Sequence, residues 1–358
     1  MERSRNQVAP GRTLAVVLGL AVLAVAVGAC GDDAQDGGSS GSSASSQDGK
    51  GVRLGLVLPD VSNPFINAIA EGAKAEADKQ GADILIKGSN EPAEQVSAME
   101  SYIGAGVDAL GFNSIDAKAI GSSVENANAA GIPVFSVVSS TRQGKVEAFI
   151  SADFNAAGKM VGEEVGKNVC ADKNPCRVAV VQGTLADEAG LDGDKGFRAG
   201  LAANPDAKIV ADQATNYDAT EALNATQTIL TANQDLDFIH AWWSAGTMAV
   251  VEGIKTAGYD GKVGTSSLTG ACPVLEKVLA GEVNADAMMF PEIMGREFVQ
   301  QAVKKVRGGT VEPQTLTASY LITPQKAKAL LAGDEKPPAE LPEVLAHLKQ
   351  AEAGDCDK

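Results

Sequence analysis

Few side chains in this 358-residue chain could do covalent or metal chemistry, and their spacing restricts them further. Of two histidines, His240 lies inside an apolar run and His347 near the C-terminus; no cysteine neighbours the first in sequence, and only Cys356 neighbours the second. Neither spacing is that of a metal site. Asp187 and Glu188 are adjacent carboxylates, but neighbouring positions on one loop do not supply the two-sided geometry of glycoside hydrolysis. No G-x-S-x-G elbow stands at a strand-to-helix turn, and neither H-E-x-x-H nor a phosphate-cradling G-x-x-x-x-G-K-[ST] occurs. The chemistry these residues suit is recognition, with no enzyme activity, metal or cofactor implied. Asp187 and Glu188 could accept from hydroxyls or meet a cation, or could simply be a solvated loop. Trp242 and Trp243, the only two tryptophans, end the run "LDFIHAWW". Strand alternation sends successive side chains to opposite faces, so one of the pair is expected at a ligand, and Trp243 is the candidate.

These residues belong to an exported chain. Arg3, Arg5 and Arg12 precede the uncharged run Leu14 to Ala29, and "VGAC" then leads into "GDDAQDGGSSGSSASSQDGK". The pattern is that of a signal segment (1–29) and resembles a bacterial lipoprotein box, with Cys30 diacylated; an uncleaved membrane helix is the alternative. Residues 30–50 then form a lipidated cysteine and a polar tether too hydrophilic to fold. With Cys30 lipidated, four of the five cysteines remain, an even number in a compartment that permits disulfides. Cys170 and Cys176 flank the turn-rich "ADKNP", and Cys272 with Cys356 would tie the tail to the body; four unrelated thiols are the other possibility. The formal charge of -16 repels nucleic acid, and 44% apolar residues leave room for two cores.

From Gly51 strand-like and helix-like segments alternate every 20 to 30 residues. "RLGLVL" is followed by a helix that opens at Pro64 and stops at Gly81; "ADILIKG", "VDALGFN" and "IPVFSVV" continue the pattern, with a helix over 154–167. The series restarts at "CRVAVVQG" and runs through "AKIVADQ", "LDFIHAWW", "GKVGTSS" and "VNADAMMF", before a helix over 291–307 and a strand near "TASYLIT". Such alternation predicts α/β architecture: two similar Rossmann-like lobes with parallel sheets and a ligand cleft at the strands' carboxyl ends. Asp60, Asn63, Asn113, Ser139, Asp187, Glu188, Trp243 and Ser266 fall at such ends.

The segments "LGLVLPDVSNPFINAIAEGAKAEADKQGADILI", "VDALGFNS", "GIPVFSV" and "ISADFNAAGKMVGEEV", in this order, resemble the periplasmic sugar-binding proteins of the ribose-binding type. That resemblance implies the type I periplasmic binding protein fold with a three-strand hinge crossing near Ala152, Met289 and Ala318. Lobe one would then be 51–152 plus 290–318, lobe two 153–289 plus 319–335, and 336–358 a C-terminal extension. It implies a monomeric solute receptor that hands a sugar or sugar-like ligand, such as a monosaccharide or polyol, to an ABC permease and its ATPase. A sensory receptor for a kinase or chemoreceptor, and a receptor for an aromatic or amine solute, are the alternatives. Asn63, Phe65 and Asn113 match the family's sugar contacts. The charged pair after the fourth strand instead falls on Val138 and Ser139, and other polar positions fall near Leu191, Ala245, Ser266 and Met289.

Overall fold

The computed structural model describes residues 51–185 and 187–356; the signal segment, Cys30 and the tether lie outside them. The first sheet is assembled from β1 (Arg53–Leu58), β2 (Asp83–Gly88), β3 (Ala109–Phe112), β4 (Val134–Val137) and β5 (Ala148–Ala152), connected by α1 (Pro64–Gln80), α2 (Pro92–Gly104) and α3 (Gly121–Ala129). The chain then enters a second sheet through α4 (Phe154–Glu164), which ends in a π-helical turn over Val165–Val169. There follow β6 (Cys176–Gln182), α5 (Glu188–Leu201), β7 (Ala207–Ala214), α6 (Ala219–Ala232), β8 (Phe238–Ala241), α7 (Ser244–Thr256), β9 (Gly264–Ser267), α8 (Cys272–Ala280) and β10 (Ala285–Met288). It returns to the first body with α9 (Pro291–Val306) and β11 (Gln314–Thr317). It finishes in the second with β12 (Tyr320–Ile322), α10 (Pro324–Ala332) and α11 (Glu343–Glu352).

The sheet orders are β11-β5-β4-β3-β1-β2 and β12-β10-β9-β8-β6-β7. The first is parallel throughout; in the second, β12 runs antiparallel to β10. Each body therefore receives its last edge strand from the C-terminal part of the chain. The chain passes between them at 152–154, 289–291 and 318–319.

Strand sequences read as unbroken apolar runs because both faces are covered. In β1, Leu54, Leu56 and Leu58 face α1 and α9 (Ile69, Ala73, Phe298), while Val57 faces Met99 and Val124 of α2 and α3. Lobe two repeats the scheme: Val178 and Val180 meet Phe197 of α5, and Ala179 and Val181 meet Ile229 and Ile254 of α6 and α7. Glycines let one helix pair in each lobe touch backbone to backbone. A Cβ on Gly295 of α9 would stand 2.0 Å from the Ile69 carbonyl oxygen, and one on Gly196 of α5 would stand 2.0 Å from that of Asn155 on α4.

Two disulfides are formed, Cys170–Cys176 and Cys272–Cys356, both in lobe two. The second fastens the chain's end to α8, and Val344, Leu348 and Ala351 of α11 join the core around Val274 and Leu275. From this position α11 also reaches α9 of the other lobe, through Arg296–Glu343 at 2.7 Å and His347–Glu292 at 3.3 Å.

Candidate ligand-binding site

A cavity of about 570 Å³ lies between the carboxyl ends of the two sheets, lined by both lobes. In lobe one the turn after β1 delivers Asn63 as the N-cap of α1. Its Oδ1 accepts from the Phe65 N–H at 2.9 Å, and Pro64 occupies the first helical position. Cap and ligand contact are therefore compatible: one end of the amide is used and Nδ2 is left. At the end of β3, Asn113 is 4% exposed. Its Oδ1 lies 2.6 Å from the Ser139 hydroxyl, which is also 2.7 Å from the Ser114 carbonyl oxygen. Buried Gln95 braces the same loop, donating to the Asn113 carbonyl and accepting from the Ile115 N–H, both at 3.0 Å. Ser139 thus stitches the ends of β3 and β4 together while lining the cavity. Beside it Val138 has φ 68°, a left-handed conformation that a β-branched residue adopts at a cost of order 1–3 kcal/mol.

The lobe-two wall is aromatic. Trp242, Trp243, Tyr217 and Phe154 all line the cavity. Tyr217 packs edge-on to both indoles with centroids 5.5 Å away, and Phe154 meets Trp242 at 6.0 Å. Glycines make room for this cluster: a Cβ on Gly183 would lie 2.1 Å from the Tyr217 ring, and one on Gly246 2.3 Å from Trp243. Asp187 caps α5, accepting from the Ala189 and Gly190 N–H groups at 3.1 and 3.2 Å, and takes a short hydrogen bond from the Tyr217 hydroxyl. Burial, together with the Asp187 charge, holds the Tyr217 phenol far above its usual range, so it stays a donor. Under this wall, buried Asp286 accepts from Thr269 N–H (2.9 Å) and Gly270 N–H (2.8 Å), fixing the loop that brings Leu268 and Thr269 to the cavity. Burial pushes its carboxyl up to about 6.

Of the residues expected at the site, Asn63, Phe65, Asn113, Ser139, Asp187 and Trp243 line this cavity. Three do not. Asp60 turns into its own loop, accepting from the Ser62 N–H (2.9 Å), the Ser62 hydroxyl (2.7 Å) and the Asn90 amide (3.0 Å), which hold its carboxyl below the usual range. Glu188 points to the rim, paired with Arg142 of the other lobe at 2.6 Å, and borders an adjoining groove. Ser266 is fully buried inside the sheet, its Oγ 2.8 Å from His240 Nδ1. His240 stacks on Phe197 with centroids 3.8 Å away, and burial pushes its imidazole down to about 3, so it is a neutral core group. Both tryptophans reach the cavity, against the expected alternation, because β8 ends at Ala241 and Trp243 is already the N-cap of α7. Tyr217 and Phe154 were not legible as site residues: Tyr217 is aimed by a left-handed turn (φ 48° at Asn216 and 63° at Tyr217), and Phe154 by the first crossing between lobes.

No lysine, arginine or histidine lines the cavity among the described residues, and Asp187 is its one carboxylate. Nor do the described residues contain a cluster of three or more His, Cys, Asp or Glu that could hold a metal ion. The arrangement can hold a small organic molecule between amides and indoles, with cavity walls that belong to two bodies.

Residues 54–310 match the family described as periplasmic binding protein domain, and the chain belongs to it. Among curated relatives, the ribose import binding protein RbsB of Bacillus subtilis is 27% identical over 286 residues, covering 78% of this chain and 90% of that protein. The galactofuranose-binding protein YtfQ of Escherichia coli is 28% identical over 265 residues, 72% of this chain and 83% of that one. The Caulobacter myo-inositol binding protein, solved with myo-inositol, superposes with a TM-score of 0.72 at 26% identity, covering 80% of this chain and 98% of that one. An ABC transporter solute-binding protein from Actinobacillus succinogenes with bound D-allose gives a TM-score of 0.74 at 22% identity over 77% of this chain and 99% of that one, a likeness of fold. The architecture is that of a type I periplasmic binding protein, a class of non-catalytic receptors working outside the cytoplasm.

Proposed function

We propose that this chain is the solute receptor of an ABC importer, that its ligand is a sugar or sugar-like compound, and that it is held at the membrane by a lipid on Cys30. The observation that carries the reading is the two-sided cavity. Amides of Asn63 and Asn113 on one lobe can exchange paired hydrogen bonds with hydroxyls, and the Trp242 ring on the other offers a surface for the C–H face of a sugar. Because the walls belong to different lobes, a ligand touching both favours the closed arrangement by contacts that an open one lacks.

Both tryptophans line the cavity, so intrinsic fluorescence reports occupancy directly. Titrating the full-length chain in detergent with monosaccharides and polyols should give a saturable change that Asn113→Ala weakens at least tenfold. Saturable binding that Asn113→Ala leaves unchanged would remove the cavity from the proposal. The anchor is tested apart from the cavity: radiolabelled palmitate should be incorporated by the wild type and not by Cys30→Ala.

A further inference from the structure

The two walls differ in how much hydrogen-bonding capacity the fold leaves to a ligand. In lobe one the Nδ2 groups of Asn63 and Asn113 have no partner among the described residues, and both amides are held in place through their oxygens. In lobe two the polar groups are mostly spent on one another. The Asp187 carboxylate already accepts from Ala189 N–H, Gly190 N–H and the Tyr217 hydroxyl, which uses that phenolic donor as well. Thr269 Oγ1 lies 3.2 Å from Ser267 Oγ. The Trp243 Nε1–H is buried out of reach of the cavity surface and makes no hydrogen bond. What is left on this side is the Trp242 Nε1–H, one acceptor site on Asp187 Oδ1, Ser244 and the first turn of α7, which no side chain caps: few polar spots, set among rings.

From this asymmetry we infer that the ligand is amphiphilic: hydroxyls on the edge that meets lobe one, and an apolar face or substituent against Trp242 and Tyr217. The class is a deoxygenated or O-alkylated sugar rather than a fully hydroxylated one. The inference rests on the reading of the cavity as a sugar-type receptor site and narrows it. A hydroxyl pressed against the ring faces of Trp242 and Tyr217 loses its water and finds no protein partner there, whereas hydrogen or methyl in its place gains by burial. The difference corresponds to about five- to 150-fold in affinity for each such hydroxyl. Tyr217 strengthens the preference, because its hydroxyl occupies an acceptor site on Asp187 Oδ2 that would otherwise serve a sugar hydroxyl.

Calorimetric titration of the full-length chain with matched pairs tests this: galactose against 6-deoxygalactose, mannose against 6-deoxymannose, and glucose against its methyl glycoside. The expected result is at least one pair in which the deoxygenated or methylated member binds ten times more tightly than its parent. Tyr217→Phe, which releases one acceptor site on Asp187 Oδ2 and keeps the ring, should narrow that ratio by strengthening the parent. Trp242→Gln should narrow it by weakening the apolar member. If every parent binds as well as or better than its partner, the site binds sugars and the amphiphilic assignment is wrong. If no member of the panel binds, the sugar reading falls and takes the assignment with it.

Discussion

The two lobes share a plan and differ in how they are secured. Lobe one holds no cysteine among its described residues, and its central helix contact, α1 on α9, needs close approach at Gly72 and Gly295. Lobe two carries both disulfides, and its α4–α5 contact runs past Gly158, Gly162, Gly196 and Gly200, where a Cβ would clash, standing no farther than 2.2 Å from a facing carbonyl oxygen. Their cleft walls differ in the same sense: lobe one offers polar groups with unused valence, and lobe two a ring cluster seated in glycine recesses. A scaffold can be duplicated while packing tolerance and bonding capacity diverge, and the more heavily secured copy is the one that must seat four aromatic rings.

The contrast should break most strongly at the disulfide that holds the chain's end. Replacing both Cys272 and Cys356 by serine opens a link across 84 residues of sequence, a loss of about 4 to 5 kcal/mol in the chain-entropy account. Urea unfolding gives the size, and amide exchange the location. Exchange in β9, β10 and β12 should accelerate while β1, β3 and β4 keep their protection; equal acceleration in both lobes would show that they unfold as one unit.

Gly196→Ala comes next. Its methyl has to displace α4 from α5, for a net loss of about 2 kcal/mol, the overpacking cost exceeding the helix-propensity gain. Gly104→Ala in lobe one meets nothing within 4 Å and should leave the urea midpoint unchanged or slightly raised.

A smaller effect distinguishes the lobes by pH, since Asp286 and His240 are both buried in lobe two. With its folded value raised to about 6, Asp286 binds its proton more tightly in the folded state, so its contribution to stability declines as pH rises from about 4 to 6. His240, lowered to about 3, does the reverse: its contribution is complete above about 6.5 and is lost as pH falls toward 3. The two oppose each other over most of this range. Asp286→Asn removes one of them, so the stability difference between variant and wild type should shift in favour of the variant as pH rises from 4 to 6. A constant offset, from replacing a carboxylate oxygen with an NH₂ facing Thr269 or Gly270, would be all that remains if Asp286 does not titrate there. The smallest effect belongs to the rim pair between lobes. Arg142 and Glu188 are 84% and 72% exposed, and Arg142→Ala should change the unfolding free energy by no more than about 0.5 kcal/mol, less in high salt.

Much of the fold can be read from residues because parallel strands covered on both faces leave an unmistakable apolar run, as "RLGLVL" and "CRVAVVQG" do, and because Pro64 and Gly81 mark the ends of α1. The stretch near "TASYLIT" reads as one strand, yet it is divided between two sheets, β11 ending at Thr317 and β12 starting at Tyr320. Periodicity does not register a crossing that short. Asn63 is legible because its cap is local. Ser266 misleads, since β9 is apolar enough in its setting to bury its own hydroxyls, and Ser266 finds His240 on the neighbouring strand. Tyr217 is beyond sequence reasoning: its placement depends on a left-handed turn with no glycine and on recesses at Gly183 and Gly190, residues far from it in the chain.

The edge strands have a consequence for how the chain is made. One face of the first sheet depends on α9, and its edge on β11; the second sheet closes with β12, and its staple with Cys356. A polypeptide emerging N-terminus first can therefore complete neither body until residues 291–322 have followed, however early β1 to β5 appear. Contacts of such long sequence separation form late. The topology itself postpones completion of both lobes until most of the chain has emerged, so that the order of synthesis and the order of folding are decoupled.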